Sequence, residues 1–431
     1  MKLVKFFYFY FVLIFMNCST ERNSVEEIET PINSARPNIL LVLADDVSKD
    51  AIPNYPIGST KANMPNLRGL MAAGITFDNT WSYAVCTPTR ASIITGKYGV
   101  KSGVIEVGDL VSTAETSIQK YVQDNTGYAY ATAIIGKWHL TKNAEDPITM
   151  GIDYYAGILN GAISDYNSWP LVENGTSSIS NTYATTKLTD LAIDWAAEQT
   201  KPWFLWMAYN APHTPFHLAP VALHSQGNLP TDMASIDANP LPYYLSALEA
   251  LDTEMGRFLS SLSAEESANT IIIFIGDNGT PNSVAQAPYT RQTVKGSLYQ
   301  GGINVPMVVS GKGVDRINER ESALINSTDL YTTIGNIAGA STSAIHNSKS
   351  FKGLLTDGNS AKRNFVYSEK EDAYTIRDAV HKYIKFDNGA EEFYNVSIDA
   401  YEESNLIGGT LSSEAAASKA SLIAEANRIR N

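Results

Sequence analysis

The sequence predicts an α/β fold in which helices cover both faces of a mostly parallel central sheet, with a small antiparallel subdomain at the C-terminus. Two observations support this prediction. Continuous apolar runs, typical of strands buried on both faces, alternate with helix-like segments along most of the chain. Near the C-terminus, short segments flank Asn388-Gly389, a dipeptide typical of a tight hairpin turn.

The apolar runs are followed by polar residues. The first run, Ile39 to Ala44, ends at two adjacent carboxylates, Asp45 and Asp46. Similar runs are Ala131 to Ile135, Trp203 to Tyr209, Thr270 to Ile275 and Val305 to Val309. The helix-like segments between them include Met64 to Ala73, Tyr183 to Gln199 and Tyr243 to Leu262. Ligands bind beyond the carboxyl ends of strands in such sheets, so these polar clusters are the candidate site.

The C-terminal region has a different pattern. Short strands are predicted at Tyr374 to Arg377, His381 to Phe386 and Glu392 to Asn395, followed by a helix from Ser412 to Arg430. We therefore divide the chain after residue 36 into a larger domain that contains the candidate site, residues 37–350, and a C-terminal subdomain, residues 351–431.

Charge limits the possible partners. The 431 residues include 32 basic and 45 acidic side chains, a formal net charge of -13. This balance argues against nucleic acid or an anionic membrane surface as a general partner. An anionic substrate would need a local cluster of cations.

The N-terminus has the pattern of a targeting segment. Lys2 and Lys5 precede an apolar run, Phe6 to Met16, that is short for a membrane span and typical of a signal peptide. Residues 1–18 resemble a bacterial lipoprotein signal, with Cys18 lipidated as a membrane anchor and residues 19–36 as a linker. An ordinary cleaved signal peptide is the alternative. We expect an exported protein in the periplasm, or a lipoprotein of the outer membrane or cell surface.

The chain has only two cysteines. Because Cys18 belongs to the leader, Cys86 has no partner for a disulfide in the exported chain. An unpaired thiol of this kind is either inert and buried or used chemically.

The sequence around Cys86 carries a resemblance to a known family. Cys86-Thr87-Pro88-Thr89-Arg90, with the trailing Thr95-Gly96, resembles the C-x-P-x-R signature of formylglycine-dependent sulfatases. Further motifs of that family appear in the same order, and they contain Asp45, Asp46, Lys137, His139, His213, Asp277, Asn278 and Lys295. The resemblance implies an alkaline-phosphatase-like fold, a sulfuric ester hydrolase, and a maturation enzyme that converts Cys86 to formylglycine.

The resemblance also implies a metal site. Its ligands would be Asp45, Asp46, Asp277, Asn278 and the modified Cys86. A site with only oxygen ligands suits a hard cation, so we expect Ca²⁺.

The family mechanism implies a role for each remaining motif residue. The hydrated formylglycine, a geminal diol, attacks sulfur with one hydroxyl, and the second hydroxyl allows sulfate to be eliminated. Arg90 would orient the diol, and Lys137 and Lys295 would bind the sulfate. His213 would protonate the departing alcohol, and His139 would act as the base for sulfate release.

Three positions depart from the common family pattern. Thr141, Gln300 and Asn304 stand where Gly, Glu and Arg are frequent. None is an expected ligand or catalytic group, so the predicted reaction is unchanged.

Two other functions remain open. One is a phosphatase or phosphodiesterase of the same superfold, and the other is an inactive surface protein that binds carbohydrate. We expect the substrate to be a sulfated oligo- or polysaccharide, recognised by loops at residues 160–182 and 279–293. In the first loop, Tyr166 and Trp169 would either stack on a sugar ring or pack in the core.

Overall fold

The computed structural model describes residues 36–342 and 344–431. The predicted leader, including Cys18, lies outside these residues, and so does almost all of the predicted linker. Within the described part of the chain, every helix is too short or too polar to cross a bilayer. Export and lipidation therefore stay predictions, as does the domain boundary at residue 350.

A large mixed sheet forms the centre of the protein. Among the described residues its ten strands are β1 (Asn38–Ala44), β2 (Gly74–Trp81), β3 (Ala131–Lys137), β4 (Tyr154–Ile158), β5 (Trp169–Glu173), β6 (Thr176–Ser180), β7 (Trp203–Ala208), β8 (Thr270–Gly276), β9 (Asn304–Gly311) and β10 (Glu319–Asn326). Their order is β10-β2-β9-β8-β1-β7-β3-β4-β5-β6. The central strands β8, β1, β7, β3 and β4 are parallel, which confirms the predicted core of the sheet.

One predicted strand runs in an unexpected direction. The run Val305 to Val309 forms β9, but β9 is antiparallel to both of its neighbours, β2 and β8. Its carboxyl end, Ser310-Gly311, therefore lies at the edge of the sheet opposite to the other polar clusters. The expectation that the residues after this run belong to the candidate site is therefore wrong, because an apolar run carries no information about strand direction.

Helices cover both faces of this sheet. They are α1 (Pro65–Ala72), α2 (Cys86–Thr95), α3 (Gly99–Ser102), α4 (Ile118–Thr126), α5 (Asp146–Thr149), α6 (Ala184–Ala197), α7 (Met233–Ala238), α8 (Leu241–Ser261), α9 (Ala264–Ala268), α10 (Gln300–Ile303) and α11 (Asp329–Ala338). The three helices predicted between the apolar runs correspond to α1, α6 and α8, and their ends agree to within two residues.

The residues of β1 show how the two layers pack. Leu40 and Val42 belong to one apolar cluster, which includes residues of α1, α6 and α8. Leu41 and Leu43 belong to a second cluster, which includes residues of α2, α4 and α11. Successive side chains of a strand point to opposite faces, so a strand between two helical layers must be apolar at every position.

The C-terminal subdomain is a second, antiparallel sheet. After a small hairpin of β11 (Ala344–Ile345) and β12 (Ser348–Lys349), it contains β13 (Val366–Lys370), β14 (Ala373–Arg377), β15 (His381–Phe386) and β16 (Glu391–Asn395), followed by the helix α12 (Ser413–Arg430). The strands pair in sequence order, with Asn388-Gly389 between the last two. This confirms the predicted antiparallel strands and adds β13, whose sequence VYSEK carries no clear strand pattern.

The segment 160–182 was predicted to be a loop that contacts substrate. Most of it instead forms the β5–β6 hairpin. Trp169 and Tyr166 are 0% and 2% exposed, and both belong to the core cluster of α1, α6 and α8. Their proposed stacking on a sugar is therefore wrong, and the core-packing alternative is correct.

Gly136 allows two central strands to approach closely beside Lys137. Its φ is +126°, and a Cβ placed there would lie 1.9 Å from the backbone oxygen of Ala208 on β7. Neither the backbone conformation nor the space accepts a side chain. Glycine at this position therefore fixes the end of β3 that carries the site residues.

We predict that Gly136→Ala lowers the free energy of unfolding by about 3 kcal/mol, because it adds backbone strain and a clash with a strand that cannot move. Gly69→Ala is the matched control, since its Cβ would meet nothing within 4 Å on helix α1. That change should raise stability by about 0.5 kcal/mol. Urea unfolding followed by circular dichroism measures both, and equal effects would contradict the proposed close approach.

Candidate active site

Polar side chains meet at the carboxyl edge of the central strands. Asp45 and Asp46 follow β1, Lys137 ends β3, His213 follows β7, and Asp277 follows β8. These four strands are parallel and adjacent, so their carboxyl ends bring the side chains together. The structure places all the residues predicted for catalysis and metal binding in this one cluster.

A fully buried network forms the base of the cluster. Lys137 Nζ lies 2.6 Å from Asp45 Oδ2, with both side chains 0% exposed. Arg90 donates from Nη1 to the backbone oxygen of Lys137 (2.8 Å) and from Nη2 to Asp277 Oδ2 (2.9 Å). The guanidinium thereby fixes the ends of β3 and β8 relative to helix α2.

Asp46 is the centre of a second set of contacts. Its carboxylate lies 2.6 Å from Lys295 Nζ and accepts a hydrogen bond from Asn278 Nδ2 at 2.8 Å. His213 Nε2 is 3.7 Å from the same carboxylate. The backbone N–H of Asp46 donates to Asp277 Oδ1 at 2.8 Å, which ties the two strand ends together.

Cys86 is the first residue of helix α2. Val85 before it is extended, and Pro88 lies in the first turn, where its missing N–H removes no helical hydrogen bond. The helix ends at Gly96, which adopts the left-handed conformation. Cys86 therefore lies at the positive end of the helix dipole. The residue is 3% exposed, and its Sγ is 3.3 Å from His139 Nδ1.

Burial controls protonation in the cluster. It lowers the pKa of His139 to about 2, an effect that the Lys137 charge increases. It also lowers the pKa of His213 to about 4, although the Asp46 carboxylate opposes this. Burial raises the pKa of the Cys86 thiol. At neutral pH both imidazoles are therefore neutral and the unmodified thiol is protonated.

The same residues could hold a metal ion. Asp45 Oδ1 and Asn278 Oδ1 are buried and have no hydrogen-bond partner among the described residues. Burial and the Asp45 charge raise the pKa of Asp277 to about 7, an electrostatic cost that a bound cation would relieve. The oxygens of Asp45, Asp46, Asp277 and Asn278 fit the set of ligands that a hard cation prefers.

His213 is also close enough to be a ligand. One ligand atom from each of Asp45, Asp46 and His213 lies within 4.8 Å of the others. His213 Nδ1 contacts the backbone oxygen of Thr214 at 2.8 Å, which leaves Nε2 facing the carboxylates. The family motif implies a role in proton transfer for His213, and its position adds that of a possible ligand.

Two further residues at the site, Asn210 and Thr87, are not among those predicted from the sequence. Asn210 follows β7 and has a buried Oδ1 without a partner among the described residues, and its Nδ2 donates to Tyr166 Oη. Thr87 Oγ1 lies 3.3 Å from His139 Nδ1. Asn210 carried the same signal as Asp45, a polar residue directly after a buried strand. Thr87 occupies a variable position of the signature, which gives no signal.

The three departures from the family pattern do not touch the cluster. Thr141 accepts a hydrogen bond from Trp138 Nε1, and Gln300 accepts one from Trp81 Nε1. Asn304 Oδ1 accepts one from Lys49 Nζ at 2.6 Å, so a lysine from another segment lies beside the position where arginine is frequent.

Comparison with known proteins identifies the family. The family model described as Sulfatase matches residues 37–340. The chain belongs to the sulfatase family. This membership agrees with the motifs, and the match extends from the start of β1 to the end of α11.

Two relatives illustrate the range of the family. Uncharacterized sulfatase YdeN of Escherichia coli is 28% identical over 361 residues, which cover 69% of this chain and 62% of the relative. The Ulvan-active sulfatase of Formosa agariphila is 24% identical over 425 residues, which cover 91% of this chain and 81% of the relative. The chain thus spans less than two thirds of the length of the first relative.

Solved structures share the fold. A complex described as Ps i-CgsB with k-i-k-neocarrahexaose has a TM-score of 0.75 and 24% identity, and covers 91% of this chain and 92% of that one. BT4656, in complex with its substrate D-Glucosamine-2-N, 6-O-disulfate, has a TM-score of 0.75 and 20% identity, with coverages of 92% and 98%. These similarities establish the sulfatase fold across nearly the whole chain.

We predict that Arg90→Met lowers the free energy of unfolding by about 3 to 5 kcal/mol, because it leaves the Asp277 carboxylate buried without its cation. Arg257→Met is the control, since this half-exposed arginine also pairs with two carboxylates, Asp190 and Glu254. The control should cost about 1 kcal/mol or less. Chemical denaturation measures both, and equal losses would show that the buried network does not stabilise the fold.

Proposed function

We propose that this chain is a sulfatase that hydrolyses the sulfate monoesters of saccharides, with formylglycine derived from Cys86 and a bound calcium ion. The observation that carries the proposal is the position of Cys86. It lies at the N-terminus of α2, beside His139 and next to a cluster that contains Lys137. A maturation enzyme that oxidises Cys86 is the required protein partner.

The charges of the cluster suit an anionic substrate. A sulfate monoester repels nucleophiles, so its oxygens must be held by fixed positive groups before attack at sulfur. Lys295, whose side chain is 23% exposed, provides such a charge on the solvent side of the cluster. The fully buried Lys137 provides one at its base. A calcium ion held by Asp45, Asp46, Asp277 and Asn278 would add further positive charge beside Cys86.

The two histidines have complementary positions. His139 is neutral and 3.3 Å from Cys86 Sγ, which suits a base that takes a proton from the group at residue 86. His213 Nε2 faces the Asp46–Lys295 pair, but its imidazole is neutral at neutral pH. It would therefore take up a proton before passing one to the leaving alcohol, and Lys295, which is charged and contacts the same carboxylate, would supply it. Formylglycine supplies a hydrated aldehyde, which offers both a nucleophile and a route for sulfate release.

The two alternative functions have less support. A phosphatase with two zinc ions needs a second group of histidines and carboxylates, and the described residues contain one such group, Asp45, Asp46 and His213. An inactive carbohydrate-binding protein has no need for the side chains of Lys137, His139 and Lys295 to converge on Cys86. Their convergence favours an enzyme.

The saccharide assignment rests on the relatives. One is named for activity on ulvan, and two solved neighbours are complexes with a neocarrahexaose and with a disulfated glucosamine. Expected export through the leader would place the enzyme where polymers and their fragments arrive. We therefore propose extracellular breakdown of sulfated polysaccharide as its role.

We predict that Cys86 is formylglycine in active protein, which peptide mass spectrometry after co-expression with a maturation enzyme detects as an aldehyde. Cys86→Ala should abolish turnover and leave the melting temperature nearly unchanged, because it removes only a small buried side chain. His224→Ala is the control, since the hydrogen bonds of this histidine to described residues go to loop backbone at Ala219 and Gln226. Fully active protein that carries an unmodified thiol would exclude the proposed chemistry.

We predict one calcium ion per chain, measured by calorimetric titration of chelated protein. Asp45→Asn and Asp277→Asn should each weaken binding at least about tenfold, because each removes one ligand charge. Thermal stability should rise with calcium in the native protein and rise less in both variants. Zinc that binds in preference to calcium and alone restores full activity would favour the phosphatase alternative.

We predict that sulfated oligosaccharides release sulfate faster than a small aryl sulfate does at equal concentration. Ion chromatography of released sulfate compares the two, with intact polymer as a third substrate to separate action at chain ends from action within chains. Turnover of the aryl sulfate without any turnover of sulfated sugars would reject the saccharide assignment and leave the sulfatase proposal standing.

A further inference from the structure

A cavity of about 480 Å³ lies apart from the catalytic cluster. Its walls come from β2, from the start of β9 and β10, and from the C-terminal subdomain after β14 and β16. No residue predicted for catalysis or metal binding lines it. The cavity therefore needs an explanation separate from hydrolysis at Cys86.

Lys49 provides one buried cation of this cavity. The residue is 3% exposed, and its Nζ donates to the backbone oxygen of Asp78 and to Asn304 Oδ1, both at 2.6 Å. Neither acceptor carries a charge at the bonded atom. Among the described residues Lys49 makes no ion pair, and beyond these two hydrogen bonds its Nζ lies 5.3 Å from the centre of the Tyr55 ring.

Arg377 provides a second buried cation and is 5% exposed. It donates to the backbone oxygens of Asp378 (2.9 Å) and Ala379 (3.2 Å) and to Asn79 Oδ1 (3.2 Å). All three acceptor groups are neutral. In the described part of the chain this guanidinium also lacks an ion pair, and two of its five N–H donors are unused.

Two carboxylates at or near the cavity already have cationic partners. Asp78 pairs with Arg320, and the buried Glu402 pairs with Lys382. Burial, opposed by Asp78 and reinforced by Arg320 and Arg377, lowers the pKa of Lys49 to about 7. Burying a cation without a counter-ion is costly. Loss of a proton relieves this cost for Lys49, and a bound anion would relieve it for both Lys49 and Arg377.

We propose that this cavity is a second anion site, which binds a sulfate-class oxyanion between Lys49 and Arg377. Free sulfate and the sulfate group of a small sugar share this chemistry. The cavity is large enough for a sugar as well as the anion, and Tyr55, Tyr289 and Tyr401 line it. Arg320 also lines the wall, 5.1 Å from the centre of the Tyr55 ring, and its charge is balanced by Asp78, which lines the same cavity.

The test is thermal unfolding with millimolar sodium sulfate, compared with sodium chloride at equal ionic strength. A ligand that binds only the folded protein raises the melting temperature. The Lys137→Ala variant weakens anion binding at the catalytic cluster. Its melting temperature should still rise when sulfate is added. Adding Arg377→Met or Lys49→Met to that variant should remove the rise. Arg428→Met is the control, because this arginine is 72% exposed and its ion pair within the described residues is with Glu425.

A selenate soak of native crystals gives an independent result if a variant fails to fold. An anomalous peak between Lys49 and Arg377 supports the proposal. A peak confined to the catalytic cluster, or a sulfate-dependent rise that persists in both double variants, overturns it.

The source of the anion is then tested with a sulfated monosaccharide and its unsulfated counterpart. Binding at least about tenfold tighter than free sulfate identifies the sugar ester as the ligand, and equal affinity identifies the free ion. Equal binding of the unsulfated sugar would contradict recognition of an anion.

Discussion

The structure depends on the compensation of charge at the carboxyl ends of buried parallel strands. Three carboxylates, Asp45, Asp46 and Asp277, face three cations, Arg90, Lys137 and Lys295, so their formal charges sum to zero. A divalent cation would give the cluster two net positive charges. The chain as a whole carries -13, so attraction of an anion must be local. Because the carboxylates and cations at these strand ends balance one another, the cluster can be buried in the folded chain and can also bind a metal ion.

The two positive regions of the protein differ in how their charge is balanced. At the catalytic cluster Lys137 and Lys295 each lie 2.6 Å from a carboxylate. In the second cavity the hydrogen bonds that Lys49 and Arg377 make within the described part of the chain all go to neutral oxygens. A buried lysine that is paired with a carboxylate already has a counter-ion within the protein. An unpaired buried lysine is stabilised most by an anion that binds from solution. The departure at Asn304 belongs to this second region, since its side chain holds Lys49.

Sequence patterns predicted the elements well where packing is uniform. A strand apolar at every position, such as β1, and an amphipathic helix, such as α8, each reflect a fixed environment on known faces. Prediction failed for the direction of β9 and for Trp169. An apolar run is compatible with either direction, and an aromatic side chain is compatible with both core and surface. The strands and helices that lie next to these residues in the folded protein distinguish the two cases.

The sequence by itself determined the chemistry: an unpaired cysteine in a sulfatase-like signature, with carboxylates, lysines and histidines at the ends of predicted strands. The tertiary structure decided which of these groups touch. Arg90 and Asp277 are 187 positions apart, and Lys49 and Asn304 are 255 apart. Their contacts depend on strand order and on antiparallel pairing by β9, which are set by packing across the whole sheet. Local sequence fixes the type of a side chain, whereas its partner across the sheet is a property of the assembled fold.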